Sequence, residues 1–329
     1  ILIEKPFQTS LEKATELADA LEVMEEESPG FQFYSVDHYA AKWTLSRLPA
    51  MVRELQTFRD IVFNTERVVI DLVETKDIPE FRTSYMASTG LFNDMMPHAL
   101  VALQFLFAGK KVTVRGNRSE CLVAGTHEDF VSAAGNLPQN PENSPHNLET
   151  YFSLKIELSV SEQDQEATRT VTVYIRCAKA LRMENKKVHI IPHREEDDLP
   201  FFTIDIARED FPEPTIDSGY PESLTDGDVS KGELRGYSKI IFDAVSFLRR
   251  NKSLKKDALP PPLEFLTPRQ SVEIIGNMME IRKYLQKNSA GQDPFQNPRT
   301  YPSGIPCLDE EKEFPILSPI SPDGQGTAP

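Results

Sequence analysis

Apolar and polar residues along the first third of the chain follow two different periods. Some stretches place apolar side chains three and four residues apart, as the buried face of a helix requires. Others are short alternating or β-branched runs, which are typical of strands. Thr9 and Ser10 provide an N-cap for the first helical stretch. We therefore predict helices over residues 11–27, 43–63 and 93–107, the second broken at Pro49, and strands over residues 31–36 and 67–73.

Beyond Gly109 the pattern becomes that of successive strands, separated by polar or proline-rich turns. Strands that follow one another without intervening helices indicate an antiparallel sheet. Two late helices, over residues 236–249 and 268–285, are available to cover it. The chain therefore predicts an α+β fold, with a large, mostly antiparallel sheet and helices on one face. The strands are predicted over residues 110–115, 149–160, 170–177, 187–191 and 201–206.

Composition narrows the range of partners. The 329 residues suffice for one large or two ordinary domains, and the formal charge of −15 argues against nucleic acid as the main partner. An anionic substrate would need lysines concentrated at its site to offset this charge. No apolar run is long enough to span a bilayer, so no membrane partner is expected. Cys121, Cys177 and Cys307 lack the spacing of metal ligands or of a disulfide framework, which indicates a cytoplasmic protein without a metal site.

Two short motifs near the start carry candidate chemistry. The apolar run Ile1-Leu2-Ile3 leads into Glu4-Lys5-Pro6-Phe7, so it predicts a buried strand with a lysine at its carboxyl end. Ligands of open α/β sheets bind at that end of the strands. The strand over residues 31–36 leads in the same way into Asp37-His38-Tyr39, with Lys42 close behind. An acid, a base, a phenol and an amine thus lie within six residues.

These motifs, with two later blocks, resemble the glucose-6-phosphate dehydrogenase family. The family's Glu-Lys-Pro-Phe-Gly is matched by residues 4–7, with Gln8 in place of the glycine. Its Asp-His-Tyr-Leu-Gly-Lys is matched by residues 37–42, with Ala40 and Ala41 in place of Leu-Gly. Its Arg-(Thr/Cys)-Gly-Lys-Ala-Leu is matched by residues 176–181, with Ala178 in place of the glycine. A further series of single residues follows in family order as Glu74, Arg82, Tyr85, Gly90, Asp94 and His98.

The resemblance implies an NADP-dependent enzyme that oxidises the C1 hydroxyl of glucose 6-phosphate to a lactone, as a homodimer or tetramer formed through the sheet. Such an oxidation releases a hydride, which a nicotinamide accepts, and a proton, which requires a base such as histidine. His98 is the candidate base, oriented by Asp37, and Lys5 would donate to the reacting or a neighbouring oxygen. The other roles fall to His38, Tyr39, Lys42 and Lys179 for the phosphate, Glu74 and Asp94 for sugar hydroxyls, and Lys5 and Pro6 beside the nicotinamide.

Other interpretations remain open. Asp94-Met95-Met96-Pro97-His98 is similar to the Asp-x-x-x-His helix of the inositol dehydrogenase and glucose-fructose oxidoreductase superfamily, which also carries Glu-Lys-Pro. An enzyme of that type would act on an unphosphorylated or differently phosphorylated polyol. Lys42 and Lys179 belong to the phosphate-binding set and favour the first interpretation. A third possibility is a non-catalytic protein that binds a sugar phosphate. Asp94 also suits the N-cap of the helix that it opens.

The resemblance also implies a domain organisation. In the glucose-6-phosphate dehydrogenase family a dinucleotide-binding domain precedes Glu-Lys-Pro, whereas this sequence begins at Ile1. We therefore expect residues 1–36 to be the C-terminal remnant of a Rossmann-like domain, including its last strand, and residues 37–287 to form the substrate-binding α+β domain. Residues 288–329, rich in Pro, Gly and Ser, are expected to be a disordered tail. The chain by itself is expected to be inactive.

Overall fold

The computed structural model describes the strands of two sheets and the helices that pack on them. The described residues are 1–4, 10–28, 32–37, 43–74, 90–115, 118–127, 151–162, 168–179, 185–193, 202–206, 244–245, 247, 265–288 and 299–301.

Five helices lie within these residues. The first is capped as predicted, because the Ser10 side chain accepts a hydrogen bond from the Lys13 N–H. Of the helix predicted over residues 236–249, only residues 244, 245 and 247 are described, and they are helical. In the part of the chain that the structure covers, no helix is both long and apolar enough to cross a membrane. The helices are α1 (Leu11–Glu27), α2 (Trp43–Glu54), α3 (Gln56–Phe63), α4 (Leu91–Leu106) and α5 (Pro268–Asn288).

The helical stretch over residues 43–63 is interrupted at Leu55, so the prediction of a break at Pro49 is wrong. Pro49 lies inside α2 and is itself buried, and the helix continues beyond it to bury Met51 and Val52. A proline inside a helix removes one backbone hydrogen bond, and the burial of apolar side chains offsets that loss. Leu55 instead has an extended backbone and serves as the N-cap of α3.

Eleven strands within the described residues form two sheets. The strands are β1 (Leu2–Glu4), β2 (Tyr34–Val36), β3 (Thr65–Glu74), β4 (Lys110–Val114), β5 (Glu120–His127), β6 (Tyr151–Glu162), β7 (Thr168–Lys179), β8 (Asn185–Pro192), β9 (Phe202–Asp205), β10 (Phe265–Leu266) and β11 (Arg299–Tyr301).

The larger sheet has the strand order β11-β5-β6-β7-β3-β8-β9, and β4 pairs with the second half of β6. Its described neighbours are antiparallel except for β3 with β7 and β5 with β11, which are parallel. The prediction of a large, mostly antiparallel sheet in an α+β fold is therefore confirmed. Because β3 and β7 run in the same direction, they end together, with the backbone of Glu74 beside that of Lys179.

Helices cover one face of this sheet, and α4 lies within the core. Alternate residues of β6 and β7 are apolar and buried, as a sheet with one covered face requires. α4 packs on that face and is buried almost all round, with Met95, Ala99 and Leu106 fully enclosed. A helix that is apolar on all sides belongs in the interior. A polar side chain carried by α4 is therefore placed among tightly packed neighbours.

The smaller sheet contains β1, β2 and β10. β1 and β2 are parallel, and α1 connects them, so they form a βαβ unit of the kind found in dinucleotide-binding domains. β10 pairs with β2 in the antiparallel sense. α1 and α5 pack together through an apolar cluster that includes Ala14, Ala18, Phe33 and Ile275. Both parallel strands end at the same edge, and Asp37 is the first residue after β2.

Candidate active site

Asp37 and His98 form a buried pair between the end of β2 and helix α4. The Nδ1 atom of His98 lies 2.7 Å from each carboxylate oxygen of Asp37. Each residue is only 2% exposed. Because a carboxylate can only accept, Nδ1–H is the donor, and Nε2 is the nitrogen left to take up a proton when the ring is neutral. The predicted pairing of Asp37 with His98 is therefore present in the structure.

Asp37 follows a strand, β2, that is held in place on both sides. The strand is hydrogen-bonded to β1 on one side and to β10 on the other, and Val36 is buried. The Tyr34 ring packs against that of Phe265, with 5.7 Å between the ring centroids. Burial, with a smaller contribution from the Glu25 carboxylate, raises the pKa of the Tyr34 phenol. These contacts hold the end of the strand in place, and with it the acid that orients His98.

α4 begins earlier than the sequence predicts. Gly90 is its N-cap, with a φ of 98° that glycine adopts far more readily than other residues, and Leu91 opens the helix. Asp94 is therefore not the N-cap. It lies in the first turn, where the helix dipole favours a negative charge. Asp94 and His98 are four residues apart, so both lie on the same side of α4.

Glu74 ends β3 and is buried beside a lysine that no sequence motif identifies. Glu74 is 5% exposed and Lys186 is 9% exposed. The Nζ atom of Lys186, on β8, lies 3.3 Å from Oε1 of Glu74. The alternation along β8 could have identified this lysine from the sequence, since Lys186 occupies the same face as the buried Val188 and Ile190.

The start of α4 lies over the edge of the larger sheet at which β3 and β7 end. The ring of Phe92, in the first turn of α4, packs on that of Phe152 with 5.8 Å between the centroids. Phe152 pairs with Cys177 of β7, which in turn pairs with Leu72 of β3. Glu74 follows Leu72 by two residues on the same face. The structure thus brings the first turn of α4 and the carboxyl end of β3 to the same region.

The remaining predicted site residues are not placed. The backbone of Lys179 pairs with that of Glu74, but the Lys179 side chain is not among those described. The others lie outside the described residues altogether: Lys5, Pro6, His38, Tyr39 and Lys42.

The described part of the site is rich in carboxylates. Asp37, Glu74 and Asp94 supply three acidic groups, and Lys186 supplies one ammonium. Ionised carboxylates accept hydrogen bonds and cannot donate them, so they suit hydroxyl groups as ligands. Among the described residues, no three His, Cys, Asp or Glu side chains come together as a metal site requires. These side chains are suited to acid–base chemistry and to the binding of hydroxyl groups.

Comparison with known proteins identifies the fold. No protein-family model matches the sequence, and no curated protein matches it. Among solved structures, a glucose-6-phosphate dehydrogenase in complex with its substrate glucose 6-phosphate matches with a TM-score of 0.57 and 18% identity, over 94% of this chain and 67% of that one. Glucose-6-phosphate 1-dehydrogenase from Mycobacterium avium matches with a TM-score of 0.55 and 15% identity, over 92% of this chain and 65% of that one.

An inositol dehydrogenase homologue from Azotobacter vinelandii, complexed with NADH and myo-inositol, matches with a TM-score of 0.53 and 13% identity, over 87% of this chain and 69% of that one. The chain thus spans about two thirds of the length of each of these three proteins. At such low identities the likeness concerns the fold. The protein has the α+β fold of oxidoreductases similar to glucose-6-phosphate dehydrogenase and inositol dehydrogenase.

Proposed function

We propose that this chain forms the substrate-binding and catalytic part of a dehydrogenase that oxidises a hydroxyl group of a sugar or polyol. The observation that carries the proposal is the buried Asp37–His98 pair between β2 and α4. The oxidoreductase-type fold supports it. Asp37 follows a strand of the smaller sheet and His98 lies on a helix packed on the larger one, so the pair joins distant parts of the chain.

His98 is the base in this proposal. Its Nε2 takes the proton of the substrate hydroxyl as the carbon loses its hydride. Asp37 accepts the Nδ1–H bond, which fixes the tautomer and the ring orientation, and its negative charge stabilises the imidazolium that forms. Their burial keeps bulk water away from the proton transfer. An Asp–His pair of this geometry needs no metal to perform that step.

Glu74 and Asp94 are the proposed ligands of the other hydroxyl groups. Both lie in the region where the first turn of α4 meets the carboxyl end of β3. Each carboxylate has two oxygens that accept hydrogen bonds from hydroxyl groups, so together they recognise a polyol by its pattern of donors. A ring held in this way presents one hydroxyl to His98.

In this proposal a nicotinamide dinucleotide binds at the edge of the smaller sheet. β1 and β2 are parallel and end there together, and dinucleotides bind across the carboxyl ends of such strands. Asp37 follows β2 at this edge, and Lys5 and Pro6, which lie outside the described residues, follow β1. In the proposal these two residues flank the nicotinamide. When bound, the cofactor supplies the acceptor for the hydride.

The finer proposal is that the substrate is glucose 6-phosphate and the cofactor NADP, with a lactone as the product. It is supported by the sequence blocks around Glu4, Asp37 and Arg176 and by the likeness to glucose-6-phosphate dehydrogenase structures. A phosphate dianion requires cations, and the carboxylate-rich part of the site supplies few. Lys42 and Lys179 carry that role in the proposal.

A second candidate is an oxidoreductase of the inositol-dehydrogenase type. Its specific support is the spacing of Asp94 and His98 on α4, together with the excess of carboxylates over lysines among the described site residues. Such a site would bind an uncharged polyol. The likeness to the inositol dehydrogenase homologue is compatible with this candidate.

The test is turnover by the purified full-length protein and two variants. NADH or NADPH formation is followed with glucose 6-phosphate, glucose and myo-inositol. His98→Asn is expected to lower kcat by about 10²–10⁴. Its KM should be nearly unchanged, because the lost interaction belongs to the transition state. Asp37→Asn should also lower kcat, because an amide no longer holds one tautomer.

Melting temperatures provide the control, since removing either partner also disrupts a buried pair. Normal turnover by a folded His98→Asn variant would contradict the proposal. So would wild-type protein that binds sugars but oxidises none, which is the result expected of the non-catalytic alternative.

A further inference from the structure

Lys186 is a lysine in an apolar position. It lies on β8 two residues before Val188, on the face of the sheet that packs against the helices. Its side chain is only 10% exposed, and its ammonium lies 3.3 Å from Oε1 of Glu74. None of the sequence motifs includes it. Its neighbour Lys187 points to the opposite face and is half-buried.

A buried pair of this kind is a poor means of gaining stability. Removing both charges from water is costly, and well-packed apolar residues often replace such pairs without loss of stability. Breaking the pair is different, because Glu74 would then be a buried carboxylate without this countercharge. The pair is therefore better explained by what the ionised Glu74 does than by the packing of this edge.

The location of the pair supports that explanation. Glu74 is the last residue of β3, and its register partner on β7 is Lys179. On the other side, Val73 pairs with Asn185, the residue before Lys186. The pair thus lies where β3 and β7 end and β8 begins, beneath the start of α4. This is the edge at which we place the hydroxyl groups of the substrate.

We propose that Lys186 is a positioning residue that keeps Glu74 ionised and fixes one of its oxygens, so that the carboxylate recognises a substrate hydroxyl solely as a hydrogen-bond acceptor. This inference rests on the proposed function. The inference identifies a source of substrate specificity. A site that accepts a hydrogen bond from a particular hydroxyl group discriminates strongly against a ligand without that group. Lys186 itself does not touch the reacting atoms.

The experiment compares Lys186→Met with Lys187→Met in the full-length protein. Methionine has about the length of lysine without its charge, and Lys187 is the matched control on the opposite face. KM and kcat are measured with the preferred sugar of the wild type and with its 2-, 3- and 4-deoxy analogues. The wild type should reject one analogue strongly. Lys186→Met should raise KM for the intact sugar about 10- to 100-fold.

The distinguishing result is the loss of discrimination. In Lys186→Met the rejected analogue should become nearly equivalent to the intact sugar, with a smaller effect on kcat than on KM. Lys186→Arg should restore the discrimination, and Lys187→Met should leave it unchanged. If Lys186→Met does not fold, Lys186→Gln takes its place, and the same loss of discrimination is expected.

Three results would overturn the inference. One is a Lys186→Met variant with lower thermal stability but wild-type discrimination, which is the behaviour of a purely structural residue. Another is equal loss of discrimination in Lys187→Met. The third is a wild type that oxidises no sugar, which removes the proposed function as well and is thereby distinguished from the first two.

Discussion

At the scale of single residues, the candidate site depends on a few polar groups that are buried and therefore not solvated by water. Asp37 and His98 are each 2% exposed, and Glu74 and Lys186 are nearly as buried. Isolated buried charges are costly, so each of these groups has a partner of complementary character. The two pairs have different chemistry. One contains a titratable base, and the other contains a carboxylate held by an ammonium.

Lys42 decides between the two candidate substrates. If it binds phosphate, Lys42→Ala removes a charge-assisted contact worth roughly 1.5–3 kcal/mol, and KM for glucose 6-phosphate should rise about tenfold to a hundredfold. The penalty should shrink with free glucose, because that sugar offers no anion. Steady-state kinetics of the full-length protein with both sugars measures the difference. Equal losses with glucose and glucose 6-phosphate would remove Lys42 from the phosphate site and favour the uncharged polyol.

At the scale of elements, α4 combines a structural role with the proposed catalytic one. It carries Asp94 and His98 and also supplies much of the core through residues such as Met96 and Leu103. Its start is determined by Gly90, whose φ of 98° and ψ of 179° lie in a region essentially restricted to glycine. Any shift of that start moves both polar residues together.

Gly90→Ala should therefore reduce both stability and activity. The strained backbone costs about 1–3 kcal/mol, and the shift of α4 displaces His98 from Asp37. Gly109, which follows the other end of the helix, is the matched control. It has a φ of 80°, and nothing lies within 4 Å of an added Cβ. Gly109→Ala should cost about 1–2 kcal/mol without changing kcat.

Thermal unfolding and kcat, measured together, test this comparison. A Gly90→Ala variant that loses stability but keeps full kcat would show that the start of α4 does not control the placement of His98.

At the scale of the whole molecule, the site spans two sheets. Asp37 follows a strand of the smaller sheet, whereas His98 lies on a helix packed on the larger one. α5 contacts both regions. Its Ile281 belongs to the main core, and its Ile275 belongs to the cluster shared with α1. The geometry of the pair therefore depends on how α5 joins these regions.

Two truncations on α5 separate these contributions. Ile281 is completely buried, and Ile281→Ala should destabilise the protein by about 2–5 kcal/mol. Ile275→Ala should lower the free energy of unfolding by less, but it should loosen α1. The amide hydrogens of α1 should then exchange faster. The substitution should also lower kcat, because β2 is then held less firmly. Met24→Ala is the control, since Met24 is 51% exposed. Unchanged α1 exchange in Ile275→Ala would contradict this account.

Much of the local structure follows from the sequence, because the period of apolar residues reports which side of an element is buried. The periodicity and the Ser10 cap place α1 over residues 11–27, and the structure has it at Leu11–Glu27. The alternation of residues 149–160 predicts a strand that the structure places at Tyr151–Glu162. The interruption at Leu55 was not predictable in this way, because it depends on which side chains the two helices bury.

The sequence by itself determined the α+β class and most of the helices and strands in their order, but not β5, β10 or β11. Through a family resemblance it also identified Asp37 and His98 as candidates. Only the tertiary structure decided that their side chains meet, although the two residues lie 61 positions apart in the sequence. It also decided that β3 and β7 are parallel neighbours and that Lys186 joins Glu74. The pattern of apolar residues within one element indicates which of its side chains are buried. Which distant residue each buried side chain contacts depends on how whole elements pack against one another.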